Sequence, residues 1–96
     1  MPEPRTRADI LDRAKVLTCG DRENTYGPPT EDYRDVAAMA SAMLSHKLKE
    51  PLTAHEAALF MALVKIRRCA HNPGHADSYD DGAAYIAIAG ECASHD

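Results

Sequence analysis

Residues suited to binding an anion occupy two separate stretches of the sequence. Arg22 and Tyr26 lie in a segment rich in glycine and proline, while Lys65 and Arg68 follow an apolar run, residues 57–64. A spacing of three places Lys65 and Arg68 on one face of a helix. Guanidinium groups suit bidentate contact with phosphate, and ammonium groups bind it as point charges. We therefore predict that Arg22, Lys65 and Arg68 bind a phosphate-bearing ligand and that Tyr26 stacks on its base or sugar.

Asp81 is the acidic residue whose position carries the most information. On a helical wheel it shares a face with Ala84 and Ile88, and that face should be buried. A buried carboxylate must pair with a cation or bind a metal ion. The first alternative is a structural salt-bridge network that fixes the register of two helices. Its predicted members are Asp77, Asp81, Tyr85, Lys65 and Arg68.

The second alternative is a magnesium site. Mg²⁺ takes a few carboxylates and keeps its remaining positions for water and phosphate oxygens. Asp32 and Asp81 are the predicted ligands. Glu31 is a further candidate, although its i,i+4 pairing with Asp35 at the start of a helix commonly compensates the helix dipole. A bound Mg²⁺ would polarise a phosphoryl group and activate water.

Capping and breaking residues divide the chain into four predicted helices. Thr6 with Asp9, and Thr53 with Glu56, form capping boxes. Residues 20–29 are predicted to form a loop, because two prolines, two glycines and an asparagine oppose regular structure. No stretch alternates as a strand would. The helices are predicted at about 7–19, 31–49, 54–70 and 78–93, the last capped by Asp77 or Ser78.

These helices predict an all-α domain, a four-helix antiparallel bundle-like fold over residues 1–96 with residues 1–5 as a loose N-terminal arm. A Pro-Gly turn at 72–74 makes an antiparallel hairpin of the last two helices. That hairpin should bring Asp81 within reach of Lys65 and Arg68.

Apolar bulk is scarce in this chain. The run 57–64 has no polar position, which predicts a helix buried on most sides. Elsewhere the core is thin, because Leu, Ile, Val and Phe together make up 15 of 96 residues and Ala alone makes up 17. A helical domain with so little bulk often completes its core by oligomerising. We therefore predict a homodimer.

Composition and charge argue against several classes of function. A net charge of −4 gives no reason to expect DNA as a partner. No apolar run approaches the roughly 20 residues of a membrane span, and the N-terminus is too polar for a secretory signal. The three cysteines are scattered and look like reduced thiols. These features predict a cytoplasmic protein without a membrane partner.

The residues discussed above also carry a family resemblance. The chain contains ILDRA, GDRENTYGPPTEDY, LTAHEAALFMALVKIRR and DSYDDGAAYIAIAGE in that order. Over about residues 7–91 it resembles a family of small phage and prophage proteins of uncharacterised function. That family shows a "dR…YG.P.e.F" loop and helix, a "K..R" helix end and a "Ds..D..gYa" final helix, and Tyr33 stands where an aromatic residue is expected. The matching positions are Arg22, Tyr26, Gly27, Pro28, Glu31, Lys65, Arg68, Asp77, Asp81 and Tyr85.

A more distant similarity points to nucleotide-modification-associated phage domains and, through them, to the MazG-like all-α nucleotide pyrophosphohydrolases. It implies acidic helices that bind Mg²⁺ and cleave nucleoside triphosphates to monophosphate and pyrophosphate. The D-x-x-x-D-x-x-x-Y pattern of the final helix resembles the last acidic helix of those enzymes. The chain departs from them in having no E-x-x-E pair. No catalytic residue is therefore predicted, and nucleotide binding without hydrolysis fits the residues equally well.

Three interpretations of function follow. In the first, the protein binds or hydrolyses a nucleotide with Mg²⁺ in the cytosol of a bacterial host. In the second, it is a non-catalytic phage effector that binds a host protein through a helical face, and its charged residues form only a structural network. In the third, it is an oligomeric structural module. The partner of Asp81 distinguishes the first two most directly.

Overall fold

Five helices account for most of the described chain, residues 4–20 and 22–95 of a computed structural model. Four helices are long, and α2 has five residues. No strand occurs in the described residues, which confirms the predicted all-α, bundle-like fold class. Within the same residues, no helix is both long and apolar enough to cross a membrane. The helices are α1 Arg7–Cys19, α2 Arg22–Tyr26, α3 Pro29–Met43, α4 Ala54–His71 and α5 Ala76–Ala93.

Reciprocal capping boxes begin α1 and α4, as the sequence predicts. The Asp9 amide donates to Thr6 Oγ1 at 3.1 Å, and the Thr6 amide donates to the Asp9 carboxylate at 2.8 Å. At α4 the corresponding Glu56-to-Thr53 and Thr53-to-Glu56 bonds measure 3.1 and 3.0 Å. Each box satisfies amide donors that have no partner inside the helix.

The structure differs from the predicted boundaries between residues 20 and 49. The predicted loop at 20–29 contains α2 and the first residue of α3, because proline is tolerated in the first turn of a helix. α3 ends at Met43. Just beyond it the Lys47 amide donates to the Leu44 carbonyl at 2.8 Å, a hydrogen bond between residues three apart instead of four. Ser41 Oγ then accepts the Leu52 amide at 2.8 Å and holds the returning chain. Asp21 lies outside the described residues.

α5 begins two residues earlier than predicted. His75 is its N-cap residue and makes no side-chain capping bond, so neither Asp77 nor Ser78 has the predicted capping role. Instead, His75 Nδ1 and Ser78 Oγ share a hydrogen bond of 2.9 Å across the first turn. Ser78 is buried by this arrangement.

α5 is the helix around which the others are arranged. It packs against α1, α3 and α4, whereas α4 packs against α3 and α5, and α1 touches only α2 and α5 among the described helices. α4 and α5 form the predicted antiparallel hairpin, which turns at residues 72–75. The helices α4 and α5 therefore share the most extensive contact, and packing is looser where α1, α2 and α5 lie near each other.

Alanine supplies most of the buried core. The central cluster unites α3, α4 and α5, and Leu52, Met61 and Tyr85 pack at its edge. Close helix approach through small side chains limits the apolar area that each contact removes from water. The cluster comprises Tyr33, Ala37, Ala54, Ala57, Ala58, Ile88, Ala89 and Cys92.

The expectation that α4 is buried on most sides is wrong for the single chain. Ala57, Ala58 and Ala62 are buried, but Phe60 is 66% exposed and Leu63 57% exposed. The helix meets α5 and α3 on one side only, so its alanine face fills the interface and its large side chains point away.

The N-terminal segment is anchored at its described end. Arg5 donates to Asp80 in an ion pair and to the Ala76 carbonyl at 3.1 Å, which joins it to the start of α5. Arg5 is therefore not part of a loose arm, and residues 1–3 of that predicted arm lie outside the described residues. Asp80, rather than Asp81, is the buried carboxylate of α5, with 5% of its surface exposed.

Replacing Asp80 should destabilise the fold more than replacing a neighbouring surface acid. In Asp80→Asn the guanidinium of Arg5 loses its charged acceptor, and we expect the free energy of unfolding to fall by about 1–3 kcal/mol. The exposed Asp77→Asn variant is the matched control. Urea denaturation measures both variants, and equal midpoints would contradict the anchoring role of Asp80.

Candidate functional site

Arg22 is held at the first residue of α2 by contacts with two helices. Its Nη2 donates to Asp32 Oδ2 at 2.8 Å and to the Tyr33 hydroxyl at 3.3 Å, so α2 is joined to the first turns of α3. The guanidinium carbon also lies 5.4 Å from the ring centroids of both Tyr26 and Tyr33. Such geometry combines a charge-assisted hydrogen bond with cation–π attraction. The side chain is thereby oriented by its surroundings.

Part of the Arg22 guanidinium nevertheless has no acceptor. Its Nη1 is buried and makes no hydrogen bond to any of the residues that the structure describes. A buried N–H group without a partner costs free energy, and more so when the group is charged. An acceptor from a ligand would remove that cost if it reached this nitrogen.

Tyr26 and Tyr33 lie against the guanidinium, and Tyr85 extends the aromatic group to α5. The Tyr33 and Tyr85 rings meet edge to face, with centroids 6.4 Å apart and an interplanar angle of 87°. Burial raises the pKa of Tyr33 to about 12, the Tyr85 ring contributes in the same direction, and Arg22 opposes the shift. Tyr33 therefore keeps its proton at neutral pH. Although burial lowers the pKa of Arg22, its hydrogen bonds to Asp32 and Tyr33 and the nearby Asp32 charge leave that pKa above its ordinary value.

Asp81 pairs with Lys65, the partner that the hairpin predicted. Lys65 Nζ lies 3.3 Å from Asp81 Oδ2. The Lys65 side chain is 16% exposed and the Asp81 side chain 35% exposed, so the pair lies at the edge of the interface and not within it. The ion pair engages one oxygen of the carboxylate. Asp81 also lines a pocket.

This pocket, here called the Arg22–Asp81 pocket, is an open cavity of about 230 Å³ at the corner of α1, α2 and α5. Its walls are largely apolar, with one cation and one carboxylate at the surface. Pockets that bind whole drug-sized ligands are larger, roughly 300–1,000 Å³. The cavity suits one ring system or one small group of a larger ligand. It is lined by Leu17, Thr18, Arg22, Tyr26, Asp81, Ala84, Tyr85 and Ile88.

The predicted binding residues divide between two places. Arg22 and Tyr26 line the Arg22–Asp81 pocket, and Lys65 reaches its edge through Asp81. Arg68 lines two other depressions, one beside His71 and His75 and the other beside Phe60 and Leu63. The structure thus brings Arg22, Tyr26 and Lys65 towards one carboxylate and places Arg68 elsewhere.

The predicted acidic residues are also separated. Asp32 is held by Arg22 and does not line the pocket, and Glu31 is exposed. Asp77 is exposed and forms no salt bridge with any described residue, so the predicted network is reduced to Lys65 with Asp81, beside Tyr85. In the described part of the chain, no three His, Cys, Asp or Glu side chains lie close enough to hold a metal ion. The residues present can offer Mg²⁺ a single carboxylate, that of Asp81.

Sequence reasoning did not find the wall that α1 contributes. Leu17 and Thr18 line the pocket from the last turn of α1. The Thr18 hydroxyl donates to the Ala14 and Lys15 carbonyls at 3.0 and 3.2 Å, so its proton is used within α1. The sequence gives no indication that these two residues line a pocket. They do so only because the end of α1 packs beside α5.

The raised pKa of Tyr33 leads to a test at alkaline pH. The folded state binds this proton more tightly than the unfolded chain, in which tyrosine titrates near 10.0. The resulting stabilisation is fully present below pH 10.0 and is lost as the pH rises through about 12. Between these values, we expect the free energy of unfolding to fall more steeply in the wild type than in Tyr33→Phe. Denaturant titrations at several pH values measure the slopes, with the exposed Tyr26→Phe as control. Parallel slopes in all three proteins would contradict the burial of the Tyr33 hydroxyl.

Comparison with known proteins places the chain in a family. Residues 9–93 match the family described as Domain of unknown function (DUF6378). The Gene 55 protein of Mycobacterium phage D29 is 34% identical over 76 residues, which cover 79% of this chain and 48% of that protein. The chain therefore spans about half the length of this curated relative. Comparison with solved structures gave no significant match. The predicted resemblance to a phage protein family is confirmed, and the chain belongs to the DUF6378 family.

Proposed function

We propose that the Arg22–Asp81 pocket binds a nucleotide and that the protein is a MazG-like nucleotide-binding protein of the host cytosol. The observation that carries this proposal is the convergence of Arg22, Tyr26, Asp81 and Tyr85 from α2 and α5 on one pocket. These residues are distant in sequence. Their types match the three parts of a nucleotide, namely its ring, its sugar and its phosphates.

The ring of the ligand would occupy the apolar part of the pocket. Tyr26 is 63% exposed, so its ring is free to stack, and Tyr85 forms the opposite end of the aromatic group. A base stacked on an aromatic side chain gains about 1–3 kcal/mol. Since the cavity is too small for a whole nucleotide, the phosphates would extend to the solvent edge.

Two cations would meet the phosphates there. Lys65 offers an ammonium group now shared with Asp81, whereas Arg22 lines the pocket and would offer its buried Nη1 only to a phosphate oxygen that enters the pocket. Both cations are already oriented by partners, which reduces the entropy lost on binding. Arg68 takes no part in this arrangement, because it lines other depressions.

Mg²⁺ would arrive with the phosphates, to which Asp81 could add one carboxylate oxygen. Mg²⁺ commonly binds one or two carboxylates together with phosphate oxygens and waters, so it does not need a cage of protein ligands. When bound, the ion would neutralise the phosphates and polarise them towards attack by water. A single carboxylate favours binding over hydrolysis, because no second acid lines the pocket to activate water.

A thermal-shift experiment tests this proposal with nucleoside and deoxynucleoside triphosphates, each with and without Mg²⁺. Ligand at about 100 times its dissociation constant should raise Tm by roughly 10–20 °C in a domain of this size. We expect Tyr26→Ala and Asp81→Asn to abolish that rise, and the exposed Asp77→Asn to retain it. Release of pyrophosphate, measured in the same samples, distinguishes hydrolysis from binding.

Two results would contradict nucleotide binding or assign Lys65 and Asp81 a purely structural role. No shift with any nucleotide at millimolar concentration would exclude the proposal. The unliganded stability of Asp81→Asn separates the alternatives. A large loss of stability with no binding in the wild type would mean that Lys65 and Asp81 serve only the fold, as the effector interpretation requires. A small loss accompanied by lost binding would support a ligand site.

A further inference from the structure

The outer face of α4 exposes the largest apolar side chains of that helix. Leu59 is 38% exposed, Phe60 66%, Leu63 57% and Ile66 57%. Phe60 is the single phenylalanine of the chain. These side chains lie on the side of the helix opposite to its buried alanines, and described residues cover them only in part. Contiguous apolar patches on small proteins commonly mark an interaction surface.

Charged residues flank this face in a symmetric order. Glu56, Phe60, Leu63 and Arg67 are spaced by four, three and four residues, so they form one stripe along the helix. The acid stands at the N-terminal end of the stripe, the cation at the C-terminal end, and two apolar residues lie between them. The two charges thus lie at equal distances from the middle of the stripe, and they have opposite signs.

Such a stripe is complementary to itself when two copies run antiparallel. A two-fold axis midway between Phe60 and Leu63 places Phe60 opposite the partner's Leu63. The same axis places Glu56 opposite the partner's Arg67, and Arg67 opposite the partner's Glu56. Both charges of each chain are thus paired, while the apolar residues are removed from water. A parallel pair would instead place like charges opposite each other.

The surface of α4 already contains a matching depression. A shallow groove of about 390 Å³ is lined by Phe60, Leu63, Val64, Arg67 and Arg68. Residues at positions i, i+3, i+4 and i+7 form the hole that receives a side chain from a facing helix in coiled-coil packing. Phe60, Leu63, Val64 and Arg67 have this spacing. In the antiparallel register, the partner's Phe60 lies opposite this hole.

We propose that a second copy of this chain covers the outer face of α4, and that the two α4 helices pack antiparallel about a two-fold axis between Phe60 and Leu63. This interaction is independent of the nucleotide pocket, which lies on the α1, α2 and α5 side. Glu56 can take part because its capping bonds use Oε1, which leaves Oε2 for the partner's Arg67. A two-fold contact of this type closes on itself and gives dimers rather than fibres.

Sedimentation equilibrium measures the association and tests each part of the interface. We expect the wild type to dimerise and Phe60→Glu to be monomeric, while circular dichroism shows unchanged helix content because Phe60 is exposed. Arg67→Glu should weaken the dimer about tenfold or more, since it places two acids opposite each other. The exposed Arg13→Glu on α1 makes the same charge change away from the interface and should leave association unchanged. Adding Glu56→Lys to Arg67→Glu exchanges the charges and should restore the dimer. Because Glu56→Lys also removes the capping carboxylate of α4, the single Glu56→Lys variant is measured by circular dichroism alongside it.

Disulfide trapping tests the register. The exposed Cys19 and half-buried Cys69 are first replaced by serine and alanine. A mixture of Phe60→Cys and Leu63→Cys proteins should then cross-link to each other more rapidly than either does alone.

Three outcomes would overturn the proposal. One is a wild type that stays monomeric at high micromolar concentration, in which case the outer face of α4 would be a binding surface for a host protein instead. Another is a dimer that survives Phe60→Glu, which would place the interface elsewhere. The third is faster cross-linking of either cysteine variant with itself, which would exclude the antiparallel register.

Discussion

Alanine packing between α4 and α5 is the constraint on which the other features of the structure depend. Ala54, Ala57 and Ala58 meet Ile88 and Ala89 in the central cluster, so the two helices approach closely but remove little apolar area from water. A hairpin held in this way needs further interactions. The structure supplies them at its edges, as an ion pair from Lys65 to Asp81 and as a tyrosine cluster beside α3. The large apolar residues of α4 are left outside.

The candidate site follows from the same arrangement. Because α5 packs most closely against α4 and less extensively against α1 and α3, an open pocket remains where α1 and α5 lie near the short α2. Arg22 joins α2 to α3 there, since its guanidinium binds Asp32 and lies near two tyrosine rings. The contacts that position Arg22 also leave one of its nitrogens without an acceptor among the described residues. Structural and ligand-binding roles are therefore compatible in this side chain.

The sequence predicted the helices well and the exposure of their faces poorly. Capping boxes at Thr6 and Thr53 identified two helix starts, because a cap depends on residues only three positions apart. The hairpin spacing predicted that Asp81 lies within reach of Lys65 and Arg68, and Lys65 is the one that pairs with it. Burial depends on which neighbours cover a helix, and the alternation of alanine with Leu59 or Phe60 does not reveal this. The apolar run of α4 is therefore expected to lie inside the fold, although its Leu59, Phe60 and Leu63 side chains face outwards.

The sequence predicts some residues of the candidate site and misplaces others. Arg22 and Tyr26 could be selected because cationic and aromatic residues are unusual in a Gly- and Pro-rich segment, and both line the pocket. The burial of Asp80 could not be predicted in this way. A helical wheel shows the residues of α5 alone, and it does not show that Arg5 lies beside Asp80. Arg68 was grouped with Lys65 on spacing alone. In the structure Lys65 pairs with Asp81, whereas Arg68 lines two other depressions.

An NMR titration of the labelled protein with a nucleoside triphosphate and Mg²⁺ shows whether a ligand binds in the Arg22–Asp81 pocket. Binding there should shift the amide signals of the pocket walls in a saturable manner, namely those of Leu17, Thr18, Tyr26, Ala84 and Tyr85. Signals at the outer end of the hairpin, residues 67–75, should remain unchanged. Shifts confined to that outer end, or no shifts at all, would contradict it.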